Sequence, residues 1–263
     1  MTCFQHSHSQ IKRTRIFTVN LPHLLSIPAL FLSLSASANI YSPFCPLGCP
    51  EVRDGNNLVF THIYALSQNP TTKFADWAAY EVDVVNFGPG PGRNWGNNPV
   101  LPEEDVLEKG DYSGAFKAIG ADRGHMAPLA AFAGSKYWYE TNYISNIVPQ
   151  SSALNQGSWE DLEQAIRDGV SYGESLFVIN GSLYEKPMDD MPKANEDHEI
   201  PSAFYKVVYD ERGNAAAFIM EQDTKRTTRY CDKQVSLQEL KTRVGYSLPE
   251  IALSSAMKKR IGC

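Results

Sequence analysis

The chain has 263 residues, 43% hydrophobic and 21% charged, with a formal net charge of −6. That length suits one large or two small domains with ample material for a buried core, and the composition is that of an ordinary globular protein. The acid excess argues against broad nucleic-acid coating through many Lys and Arg contacts, while leaving room for a local cationic cleft.

Taken in order, the chain begins with Lys12, Arg13 and Arg15, then an apolar run from Leu21 to Leu34, then Ala36-Ser37-Ala38. A basic region, a short apolar core and a small-x-small site predict a secretory signal over residues 1–38, cut near Ala38-Asn39. The run falls short of the ~20 residues of a spanning helix and holds Pro22 and Pro28, so no membrane association is expected after cleavage. Its loss removes three cations and no acids, leaving the remainder at −9. A periplasmic or extracellular protein follows, and there Cys45, Cys49, Cys231 and Cys263 favour disulfides. Three pairings are open, and a zinc site is the lesser alternative.

Asn39 to Asn57 is rich in Pro, Gly and Cys and reads as an irregular stapled segment packed on the domain. Leu58 to Ser67, which contains His62, and Tyr80 to Phe87 read as strands. Gly88-Pro89-Gly90-Pro91-Gly92 then places Arg93 on a loop, and Pro102 to Lys109 suggests a helical turn. In Asp122-Arg123-Gly124-His125-Met126-Ala127-Pro128 the glycine permits a turn and the proline forbids a continuing helix, so His125 belongs at a strand end or loop. Tyr143 to Val148 reads as a strand. Asn155 to Val170 is the clearest helix, because Trp159, Leu162, Ile166 and Val170 recur at helical spacing. Asn155 is expected near its N-terminus, whose free amides favour anions. Glu163 and Arg167, four apart, read as a surface ion pair. Leu176 to Leu183 is a buried strand, and Tyr184 to Ile200 a long polar loop with His198. Phe204 to Tyr209 and Ala215 to Glu221 form a hairpin around Asp210-Glu211-Arg212-Gly213-Asn214. Ser236-Leu237-Gln238-Glu239 opens a short helix as a capping box, and Met257 to Cys263 is a basic tail. With no repeat and no linker, one mixed α+β domain over 58–263 is expected.

The ordered set of Arg93, Asp122-Arg123-Gly124-His125, Ser145-Asn146-Ile147-Val148-Pro149-Gln150 and Asn155-Gln156-Gly157-Ser158-Trp159-Glu160-Asp161-Leu162-Glu163 resembles the DNA/RNA non-specific endonucleases, of the ββα-metal or His-Me finger group. The resemblance runs from about Leu58 to the C-terminus. It implies a central, mainly antiparallel sheet flanked by helices, with a ββα unit carrying the site. It implies that His125 is the general base, an apt role for a group titrating near neutrality. It implies Mg²⁺, with Mn²⁺ as a substitute, bound directly by Asn155 and through water by Glu163 and Asp122. Arg93 would stabilise charge on the phosphate. Arg123 and Arg167 would shape the cleft, and Asn146 would steady the His125 loop. DNA and RNA are the implied substrates, read through phosphate and sugar with little base preference. A homodimer and a protein inhibitor both stay open. Two other readings compete: a catalytically silent nucleic-acid-binding protein on the same fold, and a zinc phosphoesterase. The second needs clustered ligands that His62, His125 and His198 do not offer.

Overall fold

Runs that cover both faces of a sheet dominate the chain. In the computed structural model, residues 39–263 are described; the signal segment expected over 1–38 lies outside them. The elements, in order, are β1 (Asn57–Phe60), β2 (Ala65–Gln68), β3 (Ala75–Val82), α1 (Ala115–Ile119), β4 (Ala121–His125), α2 (Leu129–Phe132), β5 (Ile147–Ser151), α3 (Ser152–Asn155), α4 (Ser158–Asp168), β6 (Leu176–Leu183), β7 (Ala203–Tyr209), β8 (Asn214–Glu221), α5 (Leu237–Val244), β9 (Ala252–Leu253) and α6 (Ser255–Arg260). Seven strands form one sheet in the order β1-β2-β3-β6-β7-β8-β9, while β4 and β5 pair separately. All pairings are antiparallel except β8 with β9. This is the mixed α+β architecture expected, with a mostly antiparallel central sheet.

Strands β6 and β7 are buried along their whole length, because both faces of the sheet are covered. Alternation sorts their side chains. Phe204 and Val208 join Trp159, Leu162 and Ile166 on one face; Tyr205, Val207 and Tyr209 join Leu240, Val244 and Cys45 on the other. The apolar stripe of α4 is thus what seats that helix on the sheet.

Several boundaries differ from the sequence reading. The Asn155–Val170 helix is two helices broken at Gly157. A Cβ there would lie 2.6 Å from the carbonyl oxygens of Ala153 and Arg226, so the corner closes only around glycine. Asn155 therefore ends the four-residue α3 and does not stand at a long helix's N-terminus, and the anion argument for it lapses. The 58–67 strand is a hairpin, because Thr61 turns the chain: its hydroxyl accepts from the amides of Ile63 and Tyr64. The strand expected over 80–87 ends at Val82, where the Asp83 side chain caps a one-turn 3-10 helix. The 143–148 strand starts later, at Ile147, after another such turn. The β7–β8 hairpin forms as read, with Gly213 at φ +80° and Asp210 accepting from two turn amides. Half of the capping box is made: Ser236 accepts from the Glu239 amide, while Glu239 itself turns to Arg243.

The four cysteines pair as Cys45–Cys49 and Cys231–Cys263, which replaces the zinc alternative and ties down the basic tail. The first bridge sits in the core cluster that contains Trp77, whose indole donates to the Glu51 carbonyl at 2.9 Å. Among the described residues, no helix is long and apolar enough to cross a membrane.

Candidate active site

The site is built on the β4–β5 hairpin and the two helices that follow it. Gly124 lies across from Val148, and a Cβ there would meet the Gln150 side chain at 2.7 Å, so a close strand approach demands glycine. His125 ends the strand. The chain beyond it is held by Asn146, which is fully buried. Its amide oxygen accepts from the Ala127 amide at 2.8 Å, and its nitrogen donates to the carbonyls of Ala127 and Thr141. Asn146 thus acts on backbone and does not line the cleft.

The His125 ring is half-buried against Trp95, with ring centroids 5.4 Å apart. Its Nε2 lies 3.2 Å from the Asn142 amide oxygen. With an oxygen as partner, Nε2 carries the proton and Nδ1 keeps a free lone pair. Burial pulls the imidazole down to about 4; the Asn142 bond opposes this, and the Arg93 charge adds to it. At neutral pH the ring is an uncharged proton acceptor.

Across the cleft, Asp122 gathers three donors: Ser152 Oγ at 2.8 Å, Asn155 Nδ2 at 3.0 Å and Gln156 Nε2 at 2.8 Å. The bond from Asn155 fixes its amide, whose oxygen has no hydrogen-bond partner among the described residues. Glu163, on α4, sits over a fully buried lysine of β7: Lys206 Nζ is 3.5 Å from Glu163 Oε1 and 4.0 Å from the Trp159 ring centroid. Burial pulls the Lys206 ammonium down to about 8, with Glu163 pulling it back up. Burial likewise raises the Glu163 carboxyl, and Lys206 and Arg167 oppose that. Both shifts have one origin, a pair of opposite charges taken out of water.

The arginines divide. Arg93 is exposed on its Gly/Pro loop and reaches the cleft. Arg123 is held between the Trp95 and Tyr112 rings, 5.5 and 5.3 Å from their centroids, and donates to the Lys109 carbonyl. Arg167 donates to Gln164 at 2.7 Å, so the expected ion pair with Glu163 is replaced by the Lys206 contact. Strand β7 comes up from beneath the helix, where it can offer an ammonium without exposing it.

Arg93, Asp122, Arg123, His125, Asn155, Glu163 and Arg167 all line one cleft of about 680 Å³. Its donors suit a hard, hydrated cation: one free amide oxygen and nearby carboxylates. Among the described residues no three His, Cys, Asp or Glu side chains converge, so a zinc phosphoesterase site has no ligand set here. Two residues of this arrangement escaped the sequence reading. Asn142 lies in a polar, aromatic stretch without periodicity. Lys206 did leave a signal, as the single charge in the strand Ala203-Phe204-Tyr205-Lys206-Val207-Val208-Tyr209.

Residues 41–251 match the DNA/RNA non-specific endonuclease family. The chain is 38% identical over 230 residues to a nuclease of Serratia marcescens, covering 84% of this chain and 86% of that protein. It is 28% identical over 209 residues to a nuclease of a Nostoc species, covering 73% and 72%. Among solved structures, EndoG from a complex with EndoGI shares the fold at a TM-score of 0.64 and 20% identity, over 78% of this chain and 89% of that one. The chain is an endonuclease and belongs to the DNA/RNA non-specific endonuclease family.

Proposed function

We propose that this endonuclease is exported and Mg²⁺-dependent, cutting DNA and RNA alike with little sequence preference. In this reading residues 1–38 are a signal, 39–57 a stapled N-terminal segment, and 58–263 the nuclease domain. The observation that carries it is a neutral imidazole in the same cleft as a carboxylate and, among the described residues, an unpartnered amide oxygen and an unpaired arginine. Two disulfides support an oxidising compartment.

His125 Nδ1 takes the proton from the attacking water, and the Asn142 bond keeps that nitrogen unprotonated. Asn155 would hold the cation through its amide oxygen, which the bond from its Nδ2 to Asp122 leaves free. Glu163 would hold the cation through water. When bound, the cation supplies Lewis-acid stabilisation of the charge on phosphate and leaving 3′ oxygen. Arg93 meets the phosphate oxygens with its planar fork, while Arg123 and Arg167 offset the carboxylates that line the cleft beside it. The test is cleavage of circular single-stranded DNA and of an RNA by the purified protein. Linearised circles and cut RNA with Mg²⁺, and neither in EDTA, are expected; undiminished cutting in EDTA would remove the cation from the mechanism.

A further inference from the structure

Among the described residues, Lys206 is the only buried lysine, and no part of its side chain reaches solvent. It stands in mid-strand between Phe204 and Val208, on the sheet face that packs under α4. A methionine or leucine would fill that space without the cost of desolvating an ammonium. The Trp159 ring offsets part of that cost. The only hydrogen-bond partner its ammonium has among the described residues is Glu163, which is itself 13% exposed and lines the cleft. Its cross-strand neighbour in register is Asn180, whose side-chain nitrogen donates to the carbonyl of Met126, the residue after His125. Adjacent positions on two central strands therefore tie down the two walls of the cleft, one under each.

We infer that Lys206 is a positioning residue for the endonuclease reaction, holding the Glu163 carboxylate aimed into the cleft from the floor of the sheet. This rests on the role proposed above for Glu163. Being wholly buried, Lys206 touches neither nucleic acid nor cation, so its effect falls on turnover and on cation affinity and not on substrate binding. Removing an outer partner of a ligand typically costs ~10- to 100-fold.

The experiment compares Lys206→Met, Glu163→Gln and the double variant. Single-turnover cleavage at saturating Mg²⁺ gives kcat and KM, and Mn²⁺ titration of the substrate-free proteins by electron paramagnetic resonance gives the dissociation constant. Lys206→Met is expected to lose ~10- to 100-fold in kcat and to bind Mn²⁺ more weakly by about tenfold, with KM for DNA within about twofold of wild type. The double variant is expected to be no slower than Glu163→Gln alone, because the lysine acts only through that carboxylate. A folded Lys206→Met with unchanged kcat and Mn²⁺ affinity overturns the inference, and so do losses that simply multiply in the double variant. Should Lys206→Met fail to fold, Lys206→Gln is put through the same comparison. Near-normal cleavage by Glu163→Gln would instead overturn the role of Glu163 itself, so the two failures are told apart.

Discussion

The two walls of the cleft face the same problem, an ionisable side chain drawn out of water, and solve it in opposite ways. On the hairpin wall, His125 meets a neutral amide and an aromatic ring, and burial leaves it uncharged. On the helix wall, Glu163 meets an ammonium brought up from the sheet; burial raises the carboxyl and lowers the ammonium, and each charge opposes the other's shift. Burial alone does not decide which protonation state a site will use; the partner does. A base that must take a proton is best left neutral, whereas a group that must hold a cation's water shell is best left ionised. The comparison also separates two kinds of support, since the hairpin wall adds backbone staples from Asn146 to its tie from Asn180, whereas the helix wall rests on its apolar stripe and Lys206.

Four substitutions or conditions would break or sharpen this contrast. His125→Ala should have the largest effect, a loss of at least ~10²-fold in cleavage rate, the lower end for a general base. Plasmid nicking by that variant at a near-normal rate would sink the hairpin wall's assignment. Leu162→Ala attacks the helix wall from behind. It empties core space next to Glu163 and should cost about 2–5 kcal/mol in urea unfolding, whereas a cost below 1 kcal/mol would mean that α4 does not depend on its apolar stripe. Asn142→Asp makes the hairpin wall resemble the helix wall. A carboxylate on Nε2 favours the charged imidazole, so the acid limb of kcat/KM should move up by about one unit from its value near 4, with activity at neutral pH little changed. An unmoved limb would show that Asn142 does not govern the ring.

The smallest effect is on stability. His125 binds its proton less tightly folded, at about 4, than unfolded, at 6.5. Between those values the unfolded chain carries more protons, so stability rises with pH across that window and falls as pH drops from 6.5 toward 4. The urea midpoint of wild type should therefore fall more steeply over that range than that of His125→Ala. Parallel curves would mean that the folded environment leaves the ring unperturbed.

Much of this was readable from residue order, for reasons that differ by region. The hairpin wall is written locally: Gly124 beside His125, and a proline two residues on from Met126, suffice to put a histidine at a strand end. The stripe of Trp159, Leu162 and Ile166 made α4 legible as well, because its period is its packing. The break at Gly157 was not fully legible, since a Cβ there is forbidden by the carbonyl of Arg226, distant in the chain, as much as by that of nearby Ala153. Lys206 as the partner of Glu163 was not legible for a similar reason. Arg167 is near in sequence, whereas Lys206 is brought in by a strand some forty residues later. The cysteine pairs, open among three pairings on sequence, are likewise fixed by where β9 and α6 carry Cys263.

The claim on which the rest turns is that His125 stands neutral in the cleft with its proton on Nε2 and Nδ1 free. Nitrogen-15 NMR of the histidine rings, followed from pH 8 to pH 4, measures both parts directly. The account predicts an unprotonated Nδ1 and a protonated Nε2 at neutral pH, with charging of the ring only well below 6.5, toward about 4. A proton on Nδ1 at neutral pH, or titration at the ordinary histidine value, would contradict it.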